Sequence, residues 1–192
     1  MATYELTGPI ETERMLLRAF GPDDYDAVYA MQSDPEVARY LYWGPRSEEE
    51  VRKSLDFKIA AIALRKEGDA LSLAGISKAT GELVADVILM WKSAEHAQCE
   101  VGYIVPPAHQ GRGYATEAVR PLLAIAFDVL GMHRVVGKVE ARNVGSVRVL
   151  EKLGMRREAL FLENEFVKGE WGSEVVCAIL DREWRAATAG GS

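Results

Sequence analysis

The sequence predicts an α+β fold: one domain with a mixed central β-sheet of about seven strands, flanked by helices. Three observations predict it. At 192 residues with 48% apolar content, the chain is long enough for one sizeable core. Residues 70–105 carry strand-like patterning in three consecutive segments, which reads as an antiparallel meander. A glycine-rich turn, a long helix and another strand then add a single β-α-β crossover. This order is not the regular alternation of a doubly wound sheet.

Glu13 to Phe20 reads as the first strand. Pro22-Asp23-Asp24 opens a helix, with proline in the first turn and acids at the positive end. Tyr25, Val28, Tyr29 and Gln32 continue it at helical spacing. Asp34-Pro35-Glu36 starts a short helix by the same logic. Tyr40-Leu41-Tyr42-Trp43-Gly44-Pro45 is an aromatic loop. Ser47 and Glu50 form a capping box, and Val51, Leu55, Ile59, Ile62 and Ala63 make an apolar stripe behind it. Residues 70–77, 82–91 and 95–105 are the meander strands, the first two joined by a tight turn at Ala79-Thr80-Gly81-Glu82. The helix 114–130 presents Ala115, Ala118, Val119, Leu122, Ile125, Ala126 and Val129 on one face. A kink is expected at Pro121, whose missing N–H and ring clash cost ~3 kcal/mol. A strand at 133–140, a helix at 144–153 ended by Gly154, and strands near 155–162 and 173–181 complete the order. The single domain spans 1–192, with its core at about 11–184. The tail from Ala186 to Ser192 is expected to fray, and Trp184 is a candidate interface residue.

The formal net charge of −6 argues against a nucleic-acid binder, which needs a basic face, and favours cationic partners by steering. No stretch approaches the roughly 18 uninterrupted apolar residues of a membrane-spanning helix. Met1-Ala2-Thr3-Tyr4-Glu5 lacks the basic and apolar regions of a signal peptide. Cys99 and Cys177 read as reduced, partly buried thiols. A cytoplasmic location is expected, with no membrane or nucleic-acid partner. His96, His109 and His133 lack His or Cys neighbours at ligand spacing, so no metal site is expected.

The most informative run is Gln110-Gly111-Arg112-Gly113-Tyr114-Ala115-Thr116. The apolar strand Val101-Gly102-Tyr103-Ile104-Val105 precedes it and an alanine-rich helix follows. Glycines let a backbone come close, and a helix start offers unpaired N–H groups and partial positive charge. The run is therefore a candidate phosphate cradle. A Walker A loop is excluded, since no G-x-x-x-x-G-K string followed by Ser or Thr exists here. A Rossmann fingerprint is excluded too. Thr116 stands where a third Gly or Ala is required, and no acid lies about 20 residues on. The run matches in full a coenzyme A pyrophosphate pattern: Gln or Arg, two residues, Gly, one residue, then Gly or Ala.

Four stretches carry a wider resemblance. Glu11 to Arg18 resembles T-x-R-L-x-L-R. Glu100-Val101-Gly102-Tyr103 fits a strand of Glu, Ile or Val, Gly, then Tyr or Trp. Gln110 to Ala118 fits Q-G-x-G-x-A-x-E-A. Asn143 to Met155 fits N-x-x-S-x-x-V-x-x-K-x-G-F, with Met155 in place of Phe. In this order they resemble the GNAT superfamily of N-acetyltransferases, and within it the branch that includes the ribosomal-protein N-terminal acetyltransferases (RimJ/RimL type). The match runs from about residue 11 to 184. One departure is Ser173, which stands where the branch often carries an acid, with Glu174 next.

The resemblance implies a GNAT-like fold splayed at the acyl-CoA site, and acetyl transfer from acetyl-CoA to a primary amine by direct attack. The amine has to be neutral, the thioester oxygen needs a donor, and the leaving thiolate needs a proton or a hydrogen bond. Glu100 is the candidate general base, acting through water; a cross-strand charge is its other reading. A backbone N–H around Ile104 or Val105 is the candidate oxyanion donor, where Pro106-Pro107 ends the ladder. Gly111, Gly113, Ala115 and Thr116 are expected around the pyrophosphate, with Gln110 in the same loop and Arg112 adding charge. Asn143 is a helix cap or a pantetheine contact. Ser146 is the candidate donor to the thiolate, or another cap. Lys152 reaches the adenosine phosphate or is solvated. Tyr40, Tyr42 and Trp43 are the candidate acceptor wall, where an ammonium rests on ring faces, or they pack in the core. Glu163, Glu165 and Glu170, in and beside the last loop, are candidates for its negative side. The acceptor is expected to be a protein N-terminus or a small amine, and the molecule a monomer or homodimer. Two alternatives stay open: an antibiotic or other small-molecule N-acetyltransferase or succinyltransferase, and a non-catalytic acyl-CoA-binding module.

Overall fold

The chain begins with three strands, β1 (Tyr4–Glu5), β2 (Ile10–Glu11) and β3 (Met15–Ala19), and three helices, α1 (Tyr25–Gln32), α2 (Pro35–Ala38) and α3 (Glu48–Ala60). Strands β4 (Ala63–Leu64), β5 (Ala70–Ser77), β6 (Leu83–Ser93) and β7 (Gln98–Ile104) lead to α4 (Tyr114–Ala124). Then come β8 (Arg134–Glu140), α5 (Val144–Lys152), β9 (Arg156–Val167), β10 (Glu170–Leu180) and α6 (Asp181–Ala189). The computed structural model describes residues 2–190.

Eight strands form one sheet in the order β2-β3-β5-β6-β7-β8-β10-β9, while β1 and β4 pair separately. The two-residue strand β2 accounts for the difference from the expected seven, being too short to show a period. Every pair in the large sheet is antiparallel except β7–β8, which the α4 crossover makes parallel. That parallel ladder is brief: Gln98, Cys99 and Glu100 face Arg134, Val135 and Val136. Beyond Glu100 the two strands separate, although β7 runs on to Ile104 and β8 to Glu140.

Strand alternation sorts the side chains into two layers. Val87, Leu89, Trp91, Cys99 and Val101 join the main core with Val119, Leu122 and Leu150 of α4 and α5. Phe20, Val28, Val51, Leu55 and Ala74 form a smaller core under α1 and α3. On that second face Asp86 is buried with Lys58, whose Nζ donates to Oδ1 at 2.8 Å; Oδ2 lies 2.7 Å away without hydrogen-bond geometry. Gly137 of β8 lets α5 approach closely, since a Cβ there would sit 2.7 Å from Leu150 Cδ1 and Cδ2.

Several local readings are borne out. Ser47 N donates to Glu50 Oε2 at 2.8 Å, and Asp34 Oδ1 accepts from Glu36 N at 2.8 Å. Gly81, at φ 74, closes the β5–β6 turn. Others differ. The helix expected over 114–130 is α-helical only to Ala124, with Pro121 inside it, and then widens into a π turn at Ile125–Val129, closed by Leu130 N donating to Ile125 O at 2.9 Å. The wider turn shifts the helical phase, and Val129, expected on the buried face, is exposed. The expected frayed tail is helical to Ala189; Gly191 and Ser192 lie outside the described residues. Trp184 fixes that helix from within rather than lying at an interface: it is buried, stacks on Phe127 and donates Nε1 to Asp128 Oδ1 at 3.1 Å. Strands β9 and β10 reach further than expected and meet at Lys168-Gly169, both with positive φ, as a two-residue hairpin turn requires. Glu163, Glu165 and Glu170 therefore stand on strands, not in a loop.

Candidate active site

The separation of β7 from β8 opens a cleft of about 500 Å³. Its floor is the end of β7, with Tyr103, Ile104 and Val105; one wall is the glycine turn and the start of α4, and the other is the start and exposed face of α5. Gly111 and Gly113 have φ of 73° and 83°, a left-handed backbone that only glycine adopts readily. Gly113 starts α4 without any side-chain cap, and the first intrahelical bond is Glu117 N to Gly113 O at 3.0 Å. The N–H groups of Tyr114, Ala115 and Thr116 precede that bond and have no partner within the helix. All three residues line the cleft. An uncapped helix start at the end of an apolar groove fits a ligand with a phosphate head and an extended arm.

Of the residues singled out from the sequence, Tyr40, Ile104, Val105, Gln110, Gly111, Gly113, Ala115, Thr116, Asn143, Ser146 and Lys152 line this one cleft. Asn143 caps α5, its Oδ1 accepting from Ser146 N at 3.1 Å. Among the described residues Ser146 Oγ has no hydrogen-bond partner. Gln110 Nε2 donates to Val105 O at 3.0 Å, so its side chain braces the strand end. Arg112 is exposed and meets the rest of the protein through its carbonyl, which accepts from Arg14.

Glu100 lies on the opposite face of β7 from Tyr103, at the point where the ladder ends. Its side chain is 18% exposed, with Lys92 Nζ 3.9 Å away. Tyr42 lies on this side and donates its hydroxyl to the buried Glu174 Oε2 at 2.7 Å. Burial, that bond and the nearby charges of Glu174, Glu165 and Glu100 all raise the Tyr42 pKa well above the ordinary phenol range. Tyr42 borders a second, small cavity with Glu140, Arg142, Glu165, Lys168, Glu170 and Ser173. Arg142 is paired with both Glu140 and Glu170, whose carboxylates hold its pKa above the usual value. Lys168, at the β9–β10 tip, donates to Ala38 O and Arg39 O at 2.8 and 2.9 Å, tying the hairpin to the end of α2. Trp43 borders neither cavity and lies under the Arg46 guanidinium, 4.1 Å from ring centroid to Cζ. Ser173 Oγ accepts from Glu163 N at 3.0 Å.

Tyr103 and Arg148 line the cleft and were not singled out from the sequence. Tyr103 donates its hydroxyl to Ser146 O at 2.7 Å, linking β7 to α5. Burial raises its pKa above the phenol range, so it stays a neutral donor. Arg148 shares the cleft face of α5 with Gly145, Val149 and Lys152. That i, i+3, i+4, i+7 spacing was a legible signal. Among the described residues no group of three or more His, Cys, Asp or Glu could hold a metal ion. Nor is any helix there long and apolar enough to cross a membrane.

A parallel pair that opens beside a glycine-started helix defines the class: a fold with a groove between two strands for an extended, phosphate-bearing ligand. The chain belongs to the GNAT family, for the Acetyltransferase (GNAT) domain model matches residues 14–156. It is 32% identical over 175 residues to the uncharacterized N-acetyltransferase YnaD of Bacillus subtilis, covering 91% of this chain and 98% of that one. A GNAT-family acetyltransferase structure from Bacillus anthracis superposes with a TM-score of 0.80 at 30% identity, covering 91% of this chain and 99% of the other. Spermidine N-acetyltransferase from Vibrio cholerae, solved with CoA and spermine, shares the fold with a TM-score of 0.75 at 21% identity, over 90% and 98% of the two chains. The chain is an N-acetyltransferase.

Proposed function

We propose that this enzyme moves an acetyl group from acetyl-CoA to a primary amine by direct attack across the β7–β8 opening. The observation that carries this reading is the opening itself, with Glu100 on one face of β7 and Ser146 beside the cleft on the other. Acetyl-CoA supplies an electrophilic acyl group. Gly111, Gly113, Ala115 and Thr116 would hold its pyrophosphate through backbone N–H groups, and Ile104 and Val105 would lie along its arm. Arg112 and Lys152 would add positive charge. Glu100 takes the proton of the incoming ammonium through water, and Ser146 Oγ offers a hydrogen bond to the departing sulfur. A backbone N–H at Ile104 or Val105 answers the charge on the acyl oxygen.

The acceptor would enter past Tyr40 and Tyr42. The small cavity there carries both signs of charge, with Arg39, Arg142 and Lys168 against Glu140, Glu165 and Glu170. That balance suits an α-amine at a peptide N-terminus, flanked by carbonyls, better than a polyamine of several positive charges. The likeness of four sequence stretches to the RimJ/RimL-type branch supports the same choice. A cytoplasmic setting agrees with Cys99 and Cys177, both buried and unpaired.

The test is a CoA-release assay against N-terminal peptides, lysine peptides, polyamines and aminoglycosides. Glu100→Gln should lower kcat roughly 10²-fold and Ser146→Ala roughly tenfold, one lost hydrogen bond to developing charge. Unchanged turnover in both variants would overturn the catalytic assignment. Exclusive turnover of polyamines would overturn the acceptor assignment alone.

A further inference from the structure

Glu117 stands on the first turn of α4, beside the N–H groups that face the cleft. An acid there ordinarily complements its own helix terminus. Its carboxylate is instead drawn toward the start of β3. Oε1 accepts from Thr12 Oγ1 at 2.6 Å and from Arg14 N at 2.7 Å, and Oε2 from Arg14 Nε at 2.7 Å. Arg14 Nη2 also lies 2.7 Å from Oε2. The same guanidinium continues into the glycine turn, where Nη1 donates to Arg112 O at 2.8 Å and Cζ lies 4.7 Å from the Tyr114 ring centroid. Burial raises the Glu117 pKa, but the bonds from Thr12 and Arg14 outweigh it and leave the carboxyl below its usual range. The group is therefore a full negative charge at neutral pH, close to where a pyrophosphate would bind.

We propose that Arg14 is a positioning residue for the coenzyme: it sequesters and neutralises Glu117, so that the α4 N–H groups stay free for the pyrophosphate. Without Arg14 the ionised carboxylate competes for those N–H groups and repels the phosphates. This rests on the reading that the cleft takes acetyl-CoA. The harm in losing Arg14 therefore comes from the charge it releases, and removing that charge should undo it.

Binding of acetyl-CoA by titration calorimetry, and KM for acetyl-CoA against S-acetylpantetheine, which has the arm but no pyrophosphate, test the proposal. Arg14→Ala should weaken acetyl-CoA binding at least tenfold and leave KM for S-acetylpantetheine unchanged. Adding Glu117→Gln to Arg14→Ala should recover most of that affinity, to within about threefold of wild type. Arg14→Lys, which keeps a cation beside the carboxylate, should stay near wild type. If Arg14→Ala does not fold, Arg14→Gln with and without Glu117→Gln gives the same comparison. A double variant no better than the single one, or an equal loss with S-acetylpantetheine, would overturn the proposal and leave Arg14 a structural brace. Wild-type protein that binds no acetyl-CoA would instead remove the coenzyme reading, and this proposal with it.

Discussion

Replacing Gly137 with alanine should disable the enzyme from a position that touches no substrate. The added Cβ would sit 2.7 Å from Leu150 Cδ1 and Cδ2 and 3.3 Å from Cγ. Comfortable carbon contacts begin near 3.5 Å, so Leu150 has to retreat by roughly 1 Å. Leu150 is fully buried, which leaves it little room to turn away. Overpacking of this kind costs about 1–3 kcal/mol. In a chain of this size each kcal/mol lowers Tm by roughly 2–4 °C. The retreat also carries the N-terminal turn of α5 away from β7, and with it Asn143 and Ser146. Misplacing a reacting geometry by ~1 Å can cost 10²-fold in rate. Thermal melts and CoA release at saturating substrate read the two effects separately. Leu150→Val trims the clashing side chain, so the Gly137→Ala, Leu150→Val double variant should regain most of both. Gly137→Ala with unaltered Tm and kcat would refute the close-packing reasoning. A double variant that regains Tm but not kcat would refute the link between this packing and Ser146.

Lys58→Met strands the buried Asp86 carboxylate and should lower stability by roughly 3–5 kcal/mol in urea unfolding, whereas Lys58→Met with Asp86→Leu should recover most of it. Asp24 predicts an acid limb of the stability curve. Burial raises its pKa, but the bonds from Arg18 and Gly21 N more than offset this and leave it below the usual carboxylate value. With the folded pKa depressed, its contribution is complete above the unfolded value of about 3.9 and is lost as pH falls through the folded pKa. Asp24→Asn should therefore be less stable than wild type at pH 6, with the gap closing below about pH 4. A gap independent of pH would refute that assignment.

The sequence made the glycine turn and the uncapped helix start legible because everything that forms them is local. Gly111 and Gly113 take left-handed φ, Gly113 starts a helix, and six neighbouring residues hold the pattern. The capping box at Ser47 and the meander were legible for the same reason. What stayed hidden depends on distant pairs. The Tyr42–Glu174 bond spans 132 residues and the Arg14–Glu117 clasp 103, and no local period announces either. Glu163, Asn164 and Glu165 read as a polar loop, yet pairing with β10 holds them in a strand. The last helix was missed because Trp184 is its one large apolar residue, and that residue packs against the distant Phe127. Trp43 is aromatic in the expected loop, but Arg46 covers it, away from both cavities.

The three-residue ladder between β7 and β8 also divides the sheet mechanically. On one side lie the five strands β2, β3, β5, β6 and β7, on the other β8, β10 and β9, and beyond Glu100 no backbone pairing among the described residues joins them. An extended ligand lying along Tyr103 to Val105 would add bonds where these two halves of the sheet part. Coenzyme binding is then linked to folding: whatever favours the closed sheet favours the ligand, by the same free energy. Amide exchange in β8 is where that linkage should be read first, as slower opening once the gap is bridged.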